Sequence, residues 1–522
     1  MAVSPYQTAL ALGRPTPAYV NSKMEQDVER LTAYGAYSDV YYNVPEAFAA
    51  LLREEDDELS RRYVAAARAI VEASLRYTGR DLAWTAKDVN GELLEDDARF
   101  VVLDPIDKLF TREEFKVKFA SVKRWMLVKG DGLLHITADP SKAQGTRIRI
   151  TELAPETYFP KYDPVDEERV IGCYLVKQVY ADDGTTVVTM RLSYDRVMTE
   201  EDAAATRLPI GSIRAGLGWY ELAKWDDRYP LSDADLAEVD PPTRFNTPAN
   251  ALLMAGVALP GVITSIPVYH FRNNRSGTAA FGLSELQGIE TILAGLTQTM
   301  SDEDIAIALQ GIGMYWTDSG HPRDAAGNEV DWVISPASVA EVEKGGKFGR
   351  VEGANDVESL QKHFASLSEA AQQATGTPEV ALGRVEVQAA ESGVALAIQF
   401  APITAKTDEK EDELLSKLAQ FMYDLMNGWM PAYEGYNANG AVVTPSFGNK
   451  LPVNRKEEID EIVTLKKEGI ISTEYALTLL QQRLGFQIPA DMLDQLLAEQ
   501  QTMLDATGAR IDAEANAAPA AG

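Results

Sequence analysis

One cysteine, Cys173, is all that the 522 residues contain, so no disulfide can form within the chain. Its neighbours, Val170-Ile171-Gly172 and Tyr174-Leu175-Val176, read as a buried strand, which makes the thiol a core group and not a nucleophile. Histidine is nearly as scarce. His135, His270, His321 and His363 do not pair at metal spacing and no His-Glu-x-x-His occurs, which argues against zinc chemistry. Cations are short as well: 49 Lys and Arg face 79 Asp and Glu, a net charge of −30. A protein that wraps nucleic acid tightly needs clustered Lys and Arg, so this balance argues against one and fits a solvated surface that repels DNA. No window reaches the roughly 18–20 unbroken apolar residues of a membrane span; the longest apolar stretch, residues 251–267, is interrupted by Gly256, Pro260 and Gly261. The beginning of the chain lacks the basic-then-apolar layout of a signal peptide, so a soluble product assembled in the cytoplasm is expected. No Gly-x-Ser-x-Gly elbow is present. Gly346-Lys347 is followed by Phe348 where a P-loop needs a hydroxyl, and Gly311-Ile312-Gly313 follows a helical pattern, not a strand.

What is there looks globular: 45% hydrophobic and 25% charged residues, with length for about three to four domains. Residues 1–44, rich in Pro, Gly and Tyr, read as an extended or short-helical arm. Residues 45–77 read as one long helix through Phe48, Leu51, Leu52, Leu59, Tyr63, Ala66, Ile70 and Leu75, stopped by Gly79. Strands are expected at 99–103, 133–136, 146–152, 170–180, 185–193 and 265–271, with Asp182-Asp183-Gly184 as a hairpin turn and one helix at 112–129. That order predicts an α+β domain with a strongly bent sheet.

Two apolar-striped helices follow. In the first, opened by Gly282 with Ser284 as a cap, Leu286, Ile289, Leu293, Leu296 and Met300 are spaced 3, 4, 3, 4. A helix of about 25 residues would be about 38 Å long. The second, residues 356–375, carries Val357, Leu360, Phe364 and Leu367 at spacing 3, 4, 3. Each stripe reads as a wall that buries itself against copies of the same chain. Between them, residues 311–353 hold strand patterns at 314–317 and 330–334 and a basic knot, Lys344, Lys347 and Arg350 among glycines. Residues 376–391 form a loop. The next helix starts near Ser392, meets Pro402, where it must kink or break, and resumes through Leu414, Leu418, Phe421 and Leu425. One edge strand at 442–447, with Pro445, precedes an all-helical end: Asn454 and Glu457 open a helix that Gly469 stops, Ser472 starts the next, and Pro489 the last. Residues from 506 onward are Ala- and acid-rich and read as disordered.

The acidic clusters Asp302-Glu303-Asp304 and residues 408–413 fit two readings, a magnesium or acid–base site or a solvated helix face. The basic knot fits contact with phosphates or an acidic partner, or a plain exposed loop.

Taken in order, Gly282-Leu283-Ser284, the returning helix 356–375, Ser392-Gly393-Val394-Ala395-Leu396 followed by Pro402, Leu451-Pro452-Val453-Asn454-Arg455 and the turn Glu468-Gly469-Ile470-Ile471-Ser472-Thr473-Glu474 resemble the portal proteins of tailed bacteriophages. The resemblance covers roughly residues 280–500, and residues 1–280 match in general texture. It implies a homo-oligomeric ring of roughly twelve copies at one capsid vertex of the virion, with a central channel for packaging and ejecting double-stranded DNA. The implied partners are the terminase large subunit and then the head–tail connector, the major capsid protein and the scaffolding protein, with no membrane and no cofactor, metal or catalytic residue. The implied parts are a wing (1–282, rejoined within 376–450), stem helices (283–310 and 356–375), a small α/β clip (311–355), a tunnel loop within 376–391, an all-α crown (451–505) and a tail (506–522). In this frame Leu286, Ile289, Leu293, Leu296, Met300, Leu360, Phe364 and Leu367 pack the stem, and Lys344, Lys347 and Arg350 meet a partner or DNA. Val380, Leu382, Arg384, Val385 and Val387 of the loop graze the duplex, and Pro402 sets the kink. The alternatives are a metal-dependent hydrolase working through the acidic clusters, or another ring-shaped adaptor.

Overall fold

The structure, a computed structural model, describes residues 25–48, 51–52, 61–163, 165–166, 169–221, 237–275, 280–312, 314–318, 321, 327, 345–351, 357–383, 393–448, 450 and 455–484. The longer helices are α1 (Glu25–Tyr42), α2 (Ala66–Tyr77), α3 (Asp96–Arg112), α4 (Phe115–Lys129), α5 (Glu290–Ile312), α6 (Glu358–Thr375), α7 (Gly393–Asp424), α8 (Arg455–Lys467) and α9 (Thr473–Leu484). The strands are β1 (Ala83–Lys87), β2 (Asp131–Ala138), β3 (Ile148–Leu153), β4 (Tyr158–Tyr162), β5 (Val170–Tyr180), β6 (Val187–Arg196), β7 (Ile213–Glu221), β8 (Val268–Arg272), β9 (Met314–Thr317), β10 (Phe348–Val351) and β11 (Val442–Ser446).

The chain divides into two compact units, Met1–Ala390 with Ile398–Gly448, and Glu391–Ala397 with Asn449–Gly522. In the first, the strands fall into separate antiparallel sheets instead of one bent sheet. β8-β2-β3 form one, and β4-β5-β6-β7, extended by Ala237–Glu238 and Val257–Ala258, another; β1 pairs with β11 and β9 with β10. The β5–β6 hairpin turns at Asp183, whose carboxylate accepts from the Thr185 and Thr186 amides (2.9 and 2.8 Å), with Gly184 at φ +70°.

Several expected elements differ. Residues 25–42 are a regular helix where an arm was expected. Residues 45–77 break into a 3-10 turn, Pro45–Phe48, and α2. The expected strand 99–103 lies inside α3. Val101-Val102-Leu103 has strand composition, but Val102, Ile106, Leu109 and Phe110 recur at helical spacing and are buried, and that face decides the conformation. β1, β4, β7 and β10 had no counterpart in the sequence reading.

The main core gathers α3, α4 and α7 through a stack of rings, Phe110–Phe115 at 4.2 Å, Phe115–Phe119 at 5.9 Å and Phe115–Phe421 at 5.6 Å. A buried polar hub fixes α1. Asp131 accepts from the Tyr34 hydroxyl, from His270 Nε2 (2.6 Å) and from the Gly282 amide (2.9 Å). Arg30 donates to Asp27 (2.8 Å) and to the Tyr158 carbonyl (3.2 Å), and lies over the Phe281 ring at 4.1 Å. Cys173 is fully buried, and burial pushes its thiol far up, as a core group requires.

In the second unit α8 packs on α9, burying Ile462 and Ala476. Gly469, at φ +71°, ends the turn after α8, and Ser472 Oγ accepts from the Tyr475 amide (3.1 Å) to start α9.

Candidate functional site

Gly282 and Gly130 cross so closely that a Cβ on Gly282 would lie 2.2 Å from the Gly130 carbonyl oxygen. That crossing fixes where the chain leaves the sheet for the first striped helix. Ser284 does not cap the helix. Its hydroxyl donates to the Val128 carbonyl (2.6 Å) and accepts from the Leu286 amide (3.1 Å), and regular helix begins only at Glu290.

The stripe that leads into α5 and continues on it is buried by its own chain. Leu286, Ile289, Leu293 and Leu296 are 0–2% exposed and belong to the main core. The expectation that this half of the seam needs sister chains is therefore corrected. The seam joins a core cluster that also takes in residues of α2, α4 and α7, which nothing in a stripe's spacing reveals. Met300 is half-buried, and Ile307, further along α5, is 50% exposed. On α6, Leu360, Phe364 and Leu367 are half-buried, and Phe364 and Leu367 pack on the same core. The two helices lie against each other at Gly295, where a Cβ would meet Leu367 at 3.2 Å.

Between them, β9 pairs with β10, Tyr315 opposite Arg350 and Thr317 opposite Phe348. The end of the basic knot is thus a strand and not a turn. Lys347 is exposed at the hairpin end; its carbonyl accepts from Thr317 Oγ1 (3.0 Å) and from the Asp318 amide (3.2 Å). Lys344, the Arg350 side chain and the expected strand 330–334 lie outside what is described. After α6, Gly376 (φ +59°) turns the chain, and residues 378–383 coil through Ala381 N to Pro378 O (2.9 Å) and Gly383 N to Val380 O (3.1 Å). Val380 and Leu382 are half-buried there, whereas Arg384, Val385 and Val387 lie outside the described residues. Of the expected kink or break at Pro402, the break is absent: α7 runs on through it as one helix.

A buried ionic cluster, invisible to motif reading, joins these pieces. Glu285, 1% exposed at its side chain, pairs with Lys406 and with Lys410 (2.9 Å) and accepts from Ser74 Oγ (3.1 Å). Lys406 also donates to the Thr375 carbonyl (2.5 Å), where α6 ends, and Lys410 donates to Asn273 and Asn274 (2.6 and 2.7 Å). Burial pushes each ammonium down to about 7, and for Lys406 the Lys410 charge adds to it. One carboxylate, Glu285, is thus shared between two buried lysines.

The acidic groups are engaged structurally. Asp302 accepts from Gln298 (2.8 Å), Glu303 from Gln361 (2.9 Å), and Asp304 pairs with Arg62 at 2.5 Å. Glu411 accepts from the Gly79 amide (2.7 Å), and Glu413 pairs with Arg272 at 3.3 Å. Among the described residues no group of three or more His, Cys, Asp or Glu is placed to hold a metal, and no helix is long and apolar enough to cross a membrane.

Residues 263–503, from before α5 to beyond α9, match the family described as "Phage portal protein, SPP1 Gp6-like". The match spans a little under half of the chain. No curated protein matches the chain. Among solved structures, a chain from the neck of a native GTA particle computed with C12 symmetry overlaps with a TM-score of 0.41 at 12% identity, covering 92% of this chain and 99% of that one. A chain from the virion of a native gene transfer agent (GTA) particle overlaps at 0.39 and 12%, covering 94% and 100%.

Proposed function

We propose that this chain is the subunit of a portal ring at one capsid vertex, whose bore carries double-stranded DNA during packaging and ejection. The observation that carries the reading is where the family match falls: it takes in α5, the β9–β10 hairpin, α6, α7 and the terminal helices α8 and α9. In this reading α5 and α6 are the stem, and the hairpin with Lys347 is the clip. The clip is where the terminase large subunit docks and, after it leaves, the head–tail connector. The sheets and α1–α4 form the wing, toward the major capsid and scaffolding proteins, and α8 and α9 belong to the crown. Assembly takes place in the host cytoplasm.

The charge of −30 supports passage over retention, because a bore with few cations gives DNA phosphates little to hold. Replacing residues 376–391 by a short flexible linker tests the conduit. Particles built with the variant are expected to contain the ring but to package or retain less DNA, measured as DNA per particle. Full DNA content would contradict a role for the loop.

A further inference from the structure

A cavity of about 230 Å³ lies where residues 262–265 cross the end of α7, and Tyr423, Asp424, Asn427 and Gly428 form its helical wall. The helix does not stop there as a regular α-helix: Leu425–Trp429 is a π turn, a feature that recurs at functional sites. Asn427 Nδ2 donates to the Tyr423 carbonyl (3.0 Å), so the Asn427 amide oxygen remains an acceptor.

Asp424 is the anion of this cavity. Ser265 Oγ donates to one of its oxygens (3.1 Å) and the Tyr269 hydroxyl to the other (3.0 Å). Each carboxylate oxygen can accept two hydrogen bonds, so one lone pair on each is left. Both partners are neutral, and among the described residues no Lys or Arg pairs with Asp424. Burial holds its carboxyl above the ordinary range, as it does for a carboxylate that lacks a counter-charge. Asp424 keeps 9% of its surface exposed, whereas Val262 and Tyr423 are 54% and 62% exposed. The cavity thus combines an open apolar rim with a carboxylate at depth.

We propose that this cavity binds a primary alkylammonium group, its head at Asp424 and Asn427 and its methylene stem against Val262 and Tyr423. An ammonium brings the missing charge and three donors, and the face of the Tyr423 ring attracts a cation as well. A divalent metal fits less well. Such ions take about six or more oxygen ligands, and no second carboxylate is among the described residues that line the cavity. The volume is below the roughly 300 Å³ at which pockets for whole small molecules begin, so the ligand is one chain end and not a cofactor. A free aliphatic amine and a lysine side chain share this chemistry.

The test titrates n-butylamine at neutral pH into the full chain, followed by saturation-transfer NMR of the ligand and by the thermal midpoint. Saturable binding is expected, weakened at least about tenfold in Asp424→Asn, measurably weakened in Tyr423→Ala, and unchanged in Lys177→Gln, a substitution at an exposed position of β5. Butanol, of similar length and without charge, should not compete. If N-acetyl-lysine methylamide displaces the butylamine, the site takes a lysine side chain; if it does not, a free amine is the ligand. Absence of saturation at millimolar amine, equal binding by Asp424→Asn, or competition by butanol or magnesium as strong as by the amine itself would overturn the proposal. If Asp424→Asn does not fold, Tyr423→Ala, at an exposed position, and the butanol comparison decide.

Discussion

His135 sits fully buried with Nε2 2.9 Å from the Tyr194 hydroxyl, and burial lowers it from 6.5 to about 4. Above pH 6.5 the imidazole is neutral in both states and adds no pH dependence. Between about 6.5 and 4 the unfolded chain takes the proton and the folded chain does not, so stability falls as the pH falls, by up to about 3 kcal/mol. Urea unfolding at about pH 7 and about pH 5 should therefore show a smaller pH loss for His135→Gln than for the native chain; equal losses would contradict the burial argument. The Glu285 cluster makes a sharper forecast. Removing the one carboxylate (Glu285→Gln) leaves the buried Lys406 and Lys410 without their anion and should cost about 3–5 kcal/mol. Lys406→Met leaves the Lys410–Glu285 pair balanced and should cost clearly less by the same measurement. Equal costs would contradict a carboxylate that both lysines share. None of this was legible in the sequence, because Ser74, Glu285, Thr375 and Lys410 meet only through tertiary folding.

At the scale of elements, period decided what could be read. α4 was legible because Phe115, Phe119, Val122 and Met126 recur at helical spacing, and β5 because its apolar run is long and bounded by turns. β7 was missed although Ile213, Ala215, Leu217 and Trp219 alternate inward, since Gly216 and Gly218 between them dilute the strand signal. The stripe of α5 was read correctly as apolar and wrongly as needing neighbours, because spacing gives a buried face and not its partner. The two ends of α5 should consequently behave differently. Leu293→Ala opens a core cavity and should cost about 2–5 kcal/mol in chemical unfolding. Ile307→Asp changes an exposed position and should leave the unfolding midpoint in place while weakening self-association in sedimentation. Loss of stability in Ile307→Asp, with assembly intact, would reverse the assignment.

For the whole molecule, the shape of the sequence–structure agreement matters as much as its extent. The ordered series Gly282-Leu283-Ser284, two stripes around a hairpin, Pro402 and the Gly469–Ser472 turn was readable because each member is local, and it falls inside the matched residues 263–503. The pairing of the sheets was not, because it joins segments as distant as Ala83 and Ser446. Since much of the first apolar stripe is satisfied within one chain, the proposed ring would draw on other surfaces, such as the exposed end of α5 and the hairpin with Trp316, 45% exposed. Mass measurement of the purified full chain over a wide concentration range, paired with negative-stain images, tests the portal assignment most directly. The account predicts annular particles of many copies around a central hole. A single-chain mass at every concentration, with no ring in the images, would contradict it.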